Sequence, residues 1–436
     1  MTLRTDHRWR NWARNQHSTA TQVRAPATAE EVAEIVRAAA RDGATVRAVG
    51  SGHSFTATAL TSGIRLDPAR MAGLVSIDDR AKLVRVRAGT RIADLNAALA
   101  AHGLAMPNLG DIEMQTIAGA LATGTHGTGA RYGCLSTFVS ELELVTGTGE
   151  VVRCSRSTDP DLFLAASVGL GAVGIVTEVT LHCVDAFILH ADERPTPLAD
   201  VLASLDERVA SNDHFEFYWM PYTERTLTKA NNRAETDSAP RGRFAAWFND
   251  YLLENTVIGA VCRMSRAMPA ATPLLLRTTA RFFSPRVYTE RSDVVFTSPR
   301  HVRFVEMEYG LPRDALPEAF AGLRRLIDRL PEPVALPVEV RFTAPDDIWL
   351  SHGYGRENAY IAIHQYVGMP YERYFRGFEE ICVGLGGRPH WGKLHYRDAE
   401  SLREVYPRFD DFLAVRERVD PARVFENEYT RQVLGP

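Results

Sequence analysis

Arg47 to Phe55 reads R-A-V-G-S-G-H-S-F. A β-like run, Thr45 to Val49, stops at Gly50, Ser51 and Gly52, and His53 and Ser54 follow. Two glycines around a serine let the backbone reach φ > 0 and turn several N–H groups toward one ligand, an arrangement suited to phosphate. An imidazole at the mouth of such a nest adds a nucleophile beside the bound group. Taken alone, the stretch more often describes a tight turn with a surface histidine. A second glycine-rich stretch, Asn108 to Gly129, reads N-L-G-D-I-E-M-Q-T-I-A-G-A-L-A-T-G-T-H-G-T-G. Its small apolar core, Thr116 to Thr123, permits close approach of a backbone or a flat cofactor, and Thr125, His126 and Thr128 add polar groups.

Three features of the second half carry further chemistry. In V-E-V-R-F, Val338 to Phe342, Glu339 and Arg341 are two apart and share one face of a strand. They form either a structural ion pair or a polar grip on a substrate. His364 projects from a second apolar strand, I-A-I-H-Q-Y. In G-G-R-P-H-W-G-K, Gly386 to Lys393, Pro389 and the glycines fix a turn that presents His390, Trp391 and Lys393. The spacing of His390 and His395 suits no common zinc pattern, so no metal is expected.

In this order, from Asn11-Trp12-Ala13 to D-P-x-x-V-F at Asp420–Phe425, these motifs resemble the aldonolactone oxidoreductase branch of the vanillyl-alcohol oxidase superfamily. L-gulono-1,4-lactone and D-arabinono-1,4-lactone oxidases belong to that branch, and alditol oxidases are similar but more distant. The resemblance implies an α+β, two-domain fold. A PCMH-type FAD-binding domain would span 1–185, a mixed α/β substrate or cap domain 186–394, and a C-terminal segment, 395–436, would return to the first domain. It assigns Ala48, Val49, Gly50, Ser51, Gly52, His53 and Ser54 to the pyrophosphate loop, with FAD bonded covalently through His53. Gly110, Asp111, Thr116, Gly119, Thr123, Gly124, Thr125 and His126 correspond to the second FAD-contacting stretch, and Ile175 or Val176 to a backbone contact near the adenine.

Glu339, Arg341 and Lys393, with His364 beside them, correspond to the grip around the reacting carbon. The implied reaction is oxidation of a sugar-acid 1,4-lactone (L-gulono-, L-galactono- or D-arabinono-). Hydride passes to flavin N5, and Arg341, Lys393 or both stabilise the negative charge that develops. Dioxygen or another acceptor then reoxidises the flavin. Gly110, where the family places a small gatekeeper, favours access of dioxygen, although some similar sequences act as dehydrogenases. The alternative substrate is an alditol or other sugar alcohol. Alditol oxidases carry a threonine two residues after the histidine, where this chain has Tyr366, which argues against open-chain polyols.

The bulk properties bound these readings. The chain has 436 residues, more than one compact core holds, so two domains are expected. A net charge of −4 argues against nucleic acid as partner. The 5 cysteines are scattered without a C-x-x-C pair, which fits free thiols in a reducing compartment. The first residues show no apolar signal region, and no apolar run reaches the length of a membrane span, so the expectation is a cytoplasmic protein.

The elements that must position these residues follow from pattern. Thr28 and Glu31 form a capping box before a helix with Val32, Ile35, Val36 and Ala39 on one face, closed by Gly43. Strands are expected at Gly63–Leu66 and Lys82–Ala88, and Thr90 is expected to cap a helix through Leu99 that Gly103 ends. Glu141–Thr146 and Glu150–Cys154 read as a hairpin and Pro160–Val168 as a helix. G-L-G-A-V-G, Gly169 to Gly174, matches the dinucleotide fingerprint by letter, but a helix precedes it and a strand follows, the reverse of a Rossmann unit, so NAD binding is rejected. Asp213–Tyr222 reads as a strand with Phe215, Phe217 and Trp219 on one face, Tyr222–Pro240 as a surface loop, and Arg243–Leu276 as helical. Val302–Tyr309 reads as a strand with Glu306 and Glu308 opposite Phe304. A helix at Pro317–Leu330, strands at Val338–Phe342 and Ala359–Tyr366, and a helix at Tyr371–Gly384 complete the second half.

Overall fold

The computed structural model describes residues 7–235 and 256–436. The first helix is Ala29–Asp42; the Thr28 hydroxyl accepts from the Glu31 N–H, and Gly43 closes the helix at φ 65°. The Glu31 carboxylate reaches back to the Ala27 N–H at 2.9 Å, completing the cap one residue earlier than a regular capping box. This helix covers a small parallel sheet in the order Gln22–Arg24, Ile64–Leu66, Val46–Ala48. An antiparallel five-stranded sheet follows, in the order Val151–Ser155, Val139–Val145, Ile175–His182, Leu83–Arg87, Leu74–Asp78. Thr90 does not cap the helix Ile92–Ala101. Its hydroxyl donates to the Arg87 carbonyl and accepts from the Gly73 N–H, so it ties a turn instead.

The short strand Val184–Asp185 still pairs with Leu104–Ala105, and from Ile188 the chain enters an eight-stranded antiparallel sheet. Its order is Arg286–Arg291, Ile188–Pro197, Arg225–Ala234, His214–Trp219, Val338–Thr343, Asn358–Tyr366, Phe304–Pro312, Arg388–Pro389. One face is apolar: Phe215, Phe217 and Trp219 pack with Val338, Val340 and Phe342 beneath the helices Leu316–Arg329 and Glu372–Gly384. The opposite face carries Glu216, Tyr218, Glu339 and Arg341. After Lys393 the chain comes back to the first sheets. The Val46 N–H donates to the Val424 carbonyl at 2.8 Å, and Val424 and Phe425 share a core with Val32, Val36 and Leu66. A larger core joins Val84, Leu142 and Val179 of the five-stranded sheet to Leu189, Trp349 and Trp391, so the two halves are packed as one body.

Besides the Thr90 cap, three expectations are corrected. The polar stretch Tyr222–Pro240 contains a strand, Arg225–Ala234, hydrogen-bonded on both sides, and the side chains of Thr226, Thr228 and Lys229 bond to neighbouring strands; 236–240 lie outside the described residues. Arg243–Leu276 is not one helix. Where described it is Ile258–Ala267 and Thr272–Ala280, interrupted at Met268–Pro269, where proline cannot continue the ladder; 243–255 lie outside the described residues. Phe304, Glu306 and Glu308 are spaced by two along one strand and so share a face.

Candidate active site

Two chambers meet at His53, Ser54, Gln115 and Thr123, which line both. The first encloses about 1280 Å³, mouth included. Of the residues expected at the cofactor, it brings together Ala48, Gly50, Ser51, Gly52, His53, Ser54, Thr116, Gly119, Thr123, Ile175 and Val176 in its lining. Among the described residues, the backbone N–H groups from Gly50 to Ser54 make no hydrogen bond. Five consecutive unpaired donors in a glycine turn are an anion cradle without a protein acceptor. Its glycines are needed on steric grounds. A Cβ on Gly50 would stand 2.3 Å from Thr116 Oγ1, and Gly52 adopts φ +73° with Trp9 2.9 Å from where its Cβ would be.

Val49 and Gly124 line neither chamber. Val49 is buried and bonds back to the Leu66 carbonyl, and Gly124 adopts φ +69° against His352. Gly169 to Gly174, rejected above as a Rossmann loop, is indeed followed by a strand, yet Gly169, Leu170, Gly171, Val173 and Gly174 line the first chamber. Arg47, which sequence reasoning passed over, braces this wall. Its guanidinium donates to the carbonyls of Gly171 (3.0 Å), Leu170 and Phe425 (both 2.8 Å), and also to that of Thr58. Those bonds commit both terminal nitrogens to the wall and leave only Nε, buried without a partner, while the loop itself offers backbone donors.

His53 stands at the junction. Its ring stacks on Trp12 at 5.9 Å, its Nδ1 is buried without a hydrogen-bond partner, and burial, aided by Arg91, depresses its pKa to about 4. The imidazole is therefore neutral near pH 7 and retains a nucleophilic nitrogen. The N-terminal segment fixes the loop. Trp12 N–H donates to the Gly52 carbonyl (2.8 Å), Asn11 Nδ2 to that of Ser54 (3.0 Å), and Asn15 Nδ2 to that of Phe55 (2.9 Å).

The second chamber, about 1100 Å³, brings together Glu339, Arg341, His364 and Lys393 with Gly110, Asp111, Thr125 and His126. Asp111, read from the resemblance as a cofactor contact, lies on this side, held by Ser298 (2.8 Å) and by Arg300 Nε (2.8 Å). His126 also lies here, stacked on Tyr360 at 3.8 Å with Nε2 3.4 Å from Glu308. Arg341 is clasped by two buried carboxylates. Its Nη2 pairs with Glu339, and its Nε donates to Glu216 Oε2 at 3.1 Å. The Tyr218 hydroxyl donates to Glu339 at 2.8 Å. Burial raises the Glu339 carboxyl above its ordinary range, and nearby Glu216 and Asp111 oppose the pull of Arg341.

Lys393 bridges Glu306 and Glu308, each at 2.6 Å. Burial disfavours ionisation of both carboxyls, but the Lys393 ammonium together with His364 beside Glu306, and with His126 and His390 beside Glu308, outweighs it and holds them below the usual range. His364 donates from Nδ1 to the Pro337 carbonyl (3.0 Å) and turns Nε2 to Glu306 (3.3 Å). An apolar wall of Ile258, Val302, Phe304 and Leu336 faces these charges. Tyr366 is not part of the lining, so its bearing on polyols is not through contact.

Glu216, Tyr218, Glu306 and Glu308 were legible as polar residues on otherwise apolar strands, although no single motif marked them as site residues. Arg300 carried no signal, because only the fold brings it to Asp111.

Residues 179–433 match the family model for D-arabinono-1,4-lactone oxidase, and residues 20–155 match that for an FAD binding domain. The chain is 43% identical over 428 residues to an L-gulono-1,4-lactone dehydrogenase of Mycobacterium tuberculosis, covering 98% of this chain and 99% of that one. It is 33% identical to an L-gulonolactone oxidase of Bos taurus (98% of each) and 34% identical to an alditol oxidase of a Streptomyces species (97% and 98%). Among solved structures, the cholesterol oxidase of B. sterolicum superposes with a TM-score of 0.83 at 19% identity, covering 100% of this chain and 97% of that one, a likeness of fold. With the family match running across more than half of its length, the chain belongs to the D-arabinono-1,4-lactone oxidase family of FAD-dependent oxidoreductases, on a vanillyl-alcohol oxidase-type fold.

Proposed function

We propose that the protein oxidises a ring hydroxyl of a sugar-acid 1,4-lactone, with L-gulono-, L-galactono- and D-arabinono-1,4-lactone as the substrates to try first. The observation that carries this reading is the convergence of Glu339, Arg341, His364 and Lys393 in one chamber that opens onto the cradle at His53. The chain's residues fit FAD. Unpaired N–H groups from Gly50 to Ser54 would hold its pyrophosphate, small residues such as Gly119 would admit its flat ring, and the unpartnered Nδ1 of His53 faces no competing group. Bound FAD supplies the hydride acceptor and passes the electrons to dioxygen or another acceptor.

The protein's own part is positioning and proton management. Glu339, oriented by Tyr218 and Arg341, accepts the substrate hydroxyl as a hydrogen-bond donor, and its raised pKa fits it to take that proton. Lys393 commits two of its three protons to Glu306 and Glu308 and has one for a substrate oxygen. Arg341 stabilises negative charge that develops as the C–H bond breaks. The apolar wall excludes water from the same face.

Covalent attachment of FAD through His53 belongs to this proposal, supported by the neutral, stacked imidazole. So does a division of the chain at 185 and 394. A cytoplasmic setting is supported by the 5 buried free cysteines. Among the described residues no helix is long and apolar enough to cross a membrane.

Anaerobic mixing of the purified yellow protein with the three lactones, xylitol and sorbitol tests the substrate. Bleaching by a lactone at micromolar to low millimolar levels supports the proposal. Bleaching by alditols alone would move the assignment to a sugar-alcohol oxidase.

A further inference from the structure

Arg341 ends a row of charged side chains that crosses the large sheet. Arg286 faces Glu193, donating from Nε at 2.9 Å and Nη2 at 3.0 Å. Glu193 is the register partner of Lys229, and Lys229 that of Glu216, with Nζ 3.5 Å from Glu216 Oε1. Glu216 in turn accepts from Arg341 Nε at 3.1 Å. The five residues stand on five neighbouring strands, and the sign of charge alternates at every step. Glu193, Glu216 and Arg341 are buried as deeply as the apolar core around them, charges within a protein interior.

Such a row is costly to bury, and apolar residues would serve stability as well or better. The other face of the same strands is filled that way, by Phe215, Phe217 and Val340. What distinguishes the charged face is its inner end, the wall of the substrate chamber. Glu216 and Lys229 do not line that chamber themselves, whereas Arg341 and Glu339 do. Local charge explains the pairing. Glu339 and Glu216 together place two negative charges on one guanidinium, and Asp111 is already balanced by Arg300. Lys229 restores neutrality. Burial pushes its ammonium down, but Glu216, Tyr288 and Glu193 outweigh burial and keep it charged.

We propose that Glu216 and Lys229 are positioning residues for the oxidation: Glu216 locks the Arg341 guanidinium through Nε, and Lys229 cancels the charge of Glu216 so that Arg341 keeps its positive field toward the reacting centre. The proposal rests on the reading of Arg341 as part of the substrate site. It follows that removing one charge or the other tips the field in opposite directions, and removing both leaves it nearly unchanged.

The test uses FAD-loaded Lys229→Met, Lys229→Arg, Glu216→Gln and the double variant Glu216→Gln/Lys229→Met. Steady-state kcat and KM are measured with whichever lactone bleaches the wild type, together with the midpoint potential of the bound FAD and thermal unfolding. Lys229→Met is expected to lower kcat roughly tenfold, less than the 10²–10³ typical of a lost direct donor, with KM little changed and the potential more negative. Glu216→Gln is expected to move the potential the other way, Lys229→Arg to behave as wild type, and the double variant to return most of the way. If Lys229→Met does not fold, an upward shift in Glu216→Gln that disappears in the double variant carries the same decision. Wild-type kcat and potential in Lys229→Met overturn the proposal, as does a double variant at least as impaired as the worse single. Arg341→Lys separates the two levels: full activity there removes the underlying site reading, whereas a loss there with silent Lys229 and Glu216 variants removes only the row.

Discussion

The indole of Trp12 stacks on the imidazole of His53, ring centroids 5.9 Å apart and 26° from parallel. Trp12 also packs edge-on against Phe304, on the strand that carries Glu306 and Glu308, so one side chain links the cradle loop to the substrate wall. With FAD bonded to His53 as proposed, Trp12→Ala is expected to slow that attachment roughly tenfold or more, because a small misplacement of a nucleophile is expensive in rate. Acid precipitation of apoprotein at intervals after adding FAD reads it as colour in the pellet. His53→Ala is expected to leave all colour in the supernatant while still binding FAD.

Arg341 is as much a structural as a chemical group, since its removal leaves Glu339 facing Glu216 without the cation between them, and among the described residues only Glu216 keeps another, Lys229 at 3.5 Å. Arg341→Ala is expected to cost about 3–5 kcal/mol of stability as well as turnover, as for other broken buried pairs. Denaturant titration beside stopped-flow bleaching measures both. A variant as stable as the wild type would contradict the clasp.

The two kinds of glycine in the first domain predict different outcomes. At Gly50 a methyl group would stand 2.3 Å from Thr116 Oγ1, and Thr116 caps the helix Ile117–Ala122 that lines the chamber. Gly50→Ala is expected to abolish FAD retention. Gly43 adopts φ +65° with no atom within 4 Å of where a methyl would stand, so Gly43→Ala is expected to cost about 1 kcal/mol and leave FAD bound. The ratio of flavin to protein absorbance in the purified variants separates the two.

Gly110 has room on one side only: a Cβ there would stand 3.1 Å from the His126 carbonyl and 3.2 Å from Thr125 Cγ2. If dioxygen approaches past Gly110, Gly110→Ala will slow aerobic reoxidation roughly tenfold and spare reduction by substrate. Equal oxygen reactivity in the two proteins would place the oxygen route elsewhere.

Stability should fall on mild acidification. Burial lowers the pKa of His53 to about 4 and that of His395 to about 3, against an ordinary value of 6.5. Below pH 6.5 the unfolded chain takes up protons that the folded chain refuses, so stability is full above 6.5 and is lost as the pH falls toward 4 and then 3. His395→Gln is expected to flatten that slope relative to wild type, read from urea midpoints at about pH 7 and about pH 5. A slope as steep as that of wild type would remove His395 as a contributor.

Much of the scaffold was readable from local pattern. The Thr28 cap, the Gly43 stop, the hairpin Val139–Ser155 and the alternation of Phe215, Phe217 and Trp219 depend on neighbours a few residues away. The cradle at Gly50–Ser54 and the Glu339–Arg341 pair were likewise visible, because both lie within one loop or one strand. One error arose where polarity was taken for exposure. Arg225–Ala234 looked like a surface loop because Thr228 and Lys229 pair across strands that the sequence does not place beside it.

The sequence by itself determined the chemistry available: a glycine loop with an imidazole at its edge, carboxylate and guanidinium groups on apolar strands, and an ammonium in a turn. Tertiary structure alone decided which of those charges oppose one another. Arg341 meets Glu216 because strands distant in sequence are adjacent in the sheet, and Asp111 meets Arg300 and Lys393 meets two glutamates because loops distant in sequence fold together over it. Electrostatic energy depends on separation in space and on burial, and neither can be read from separation along the chain.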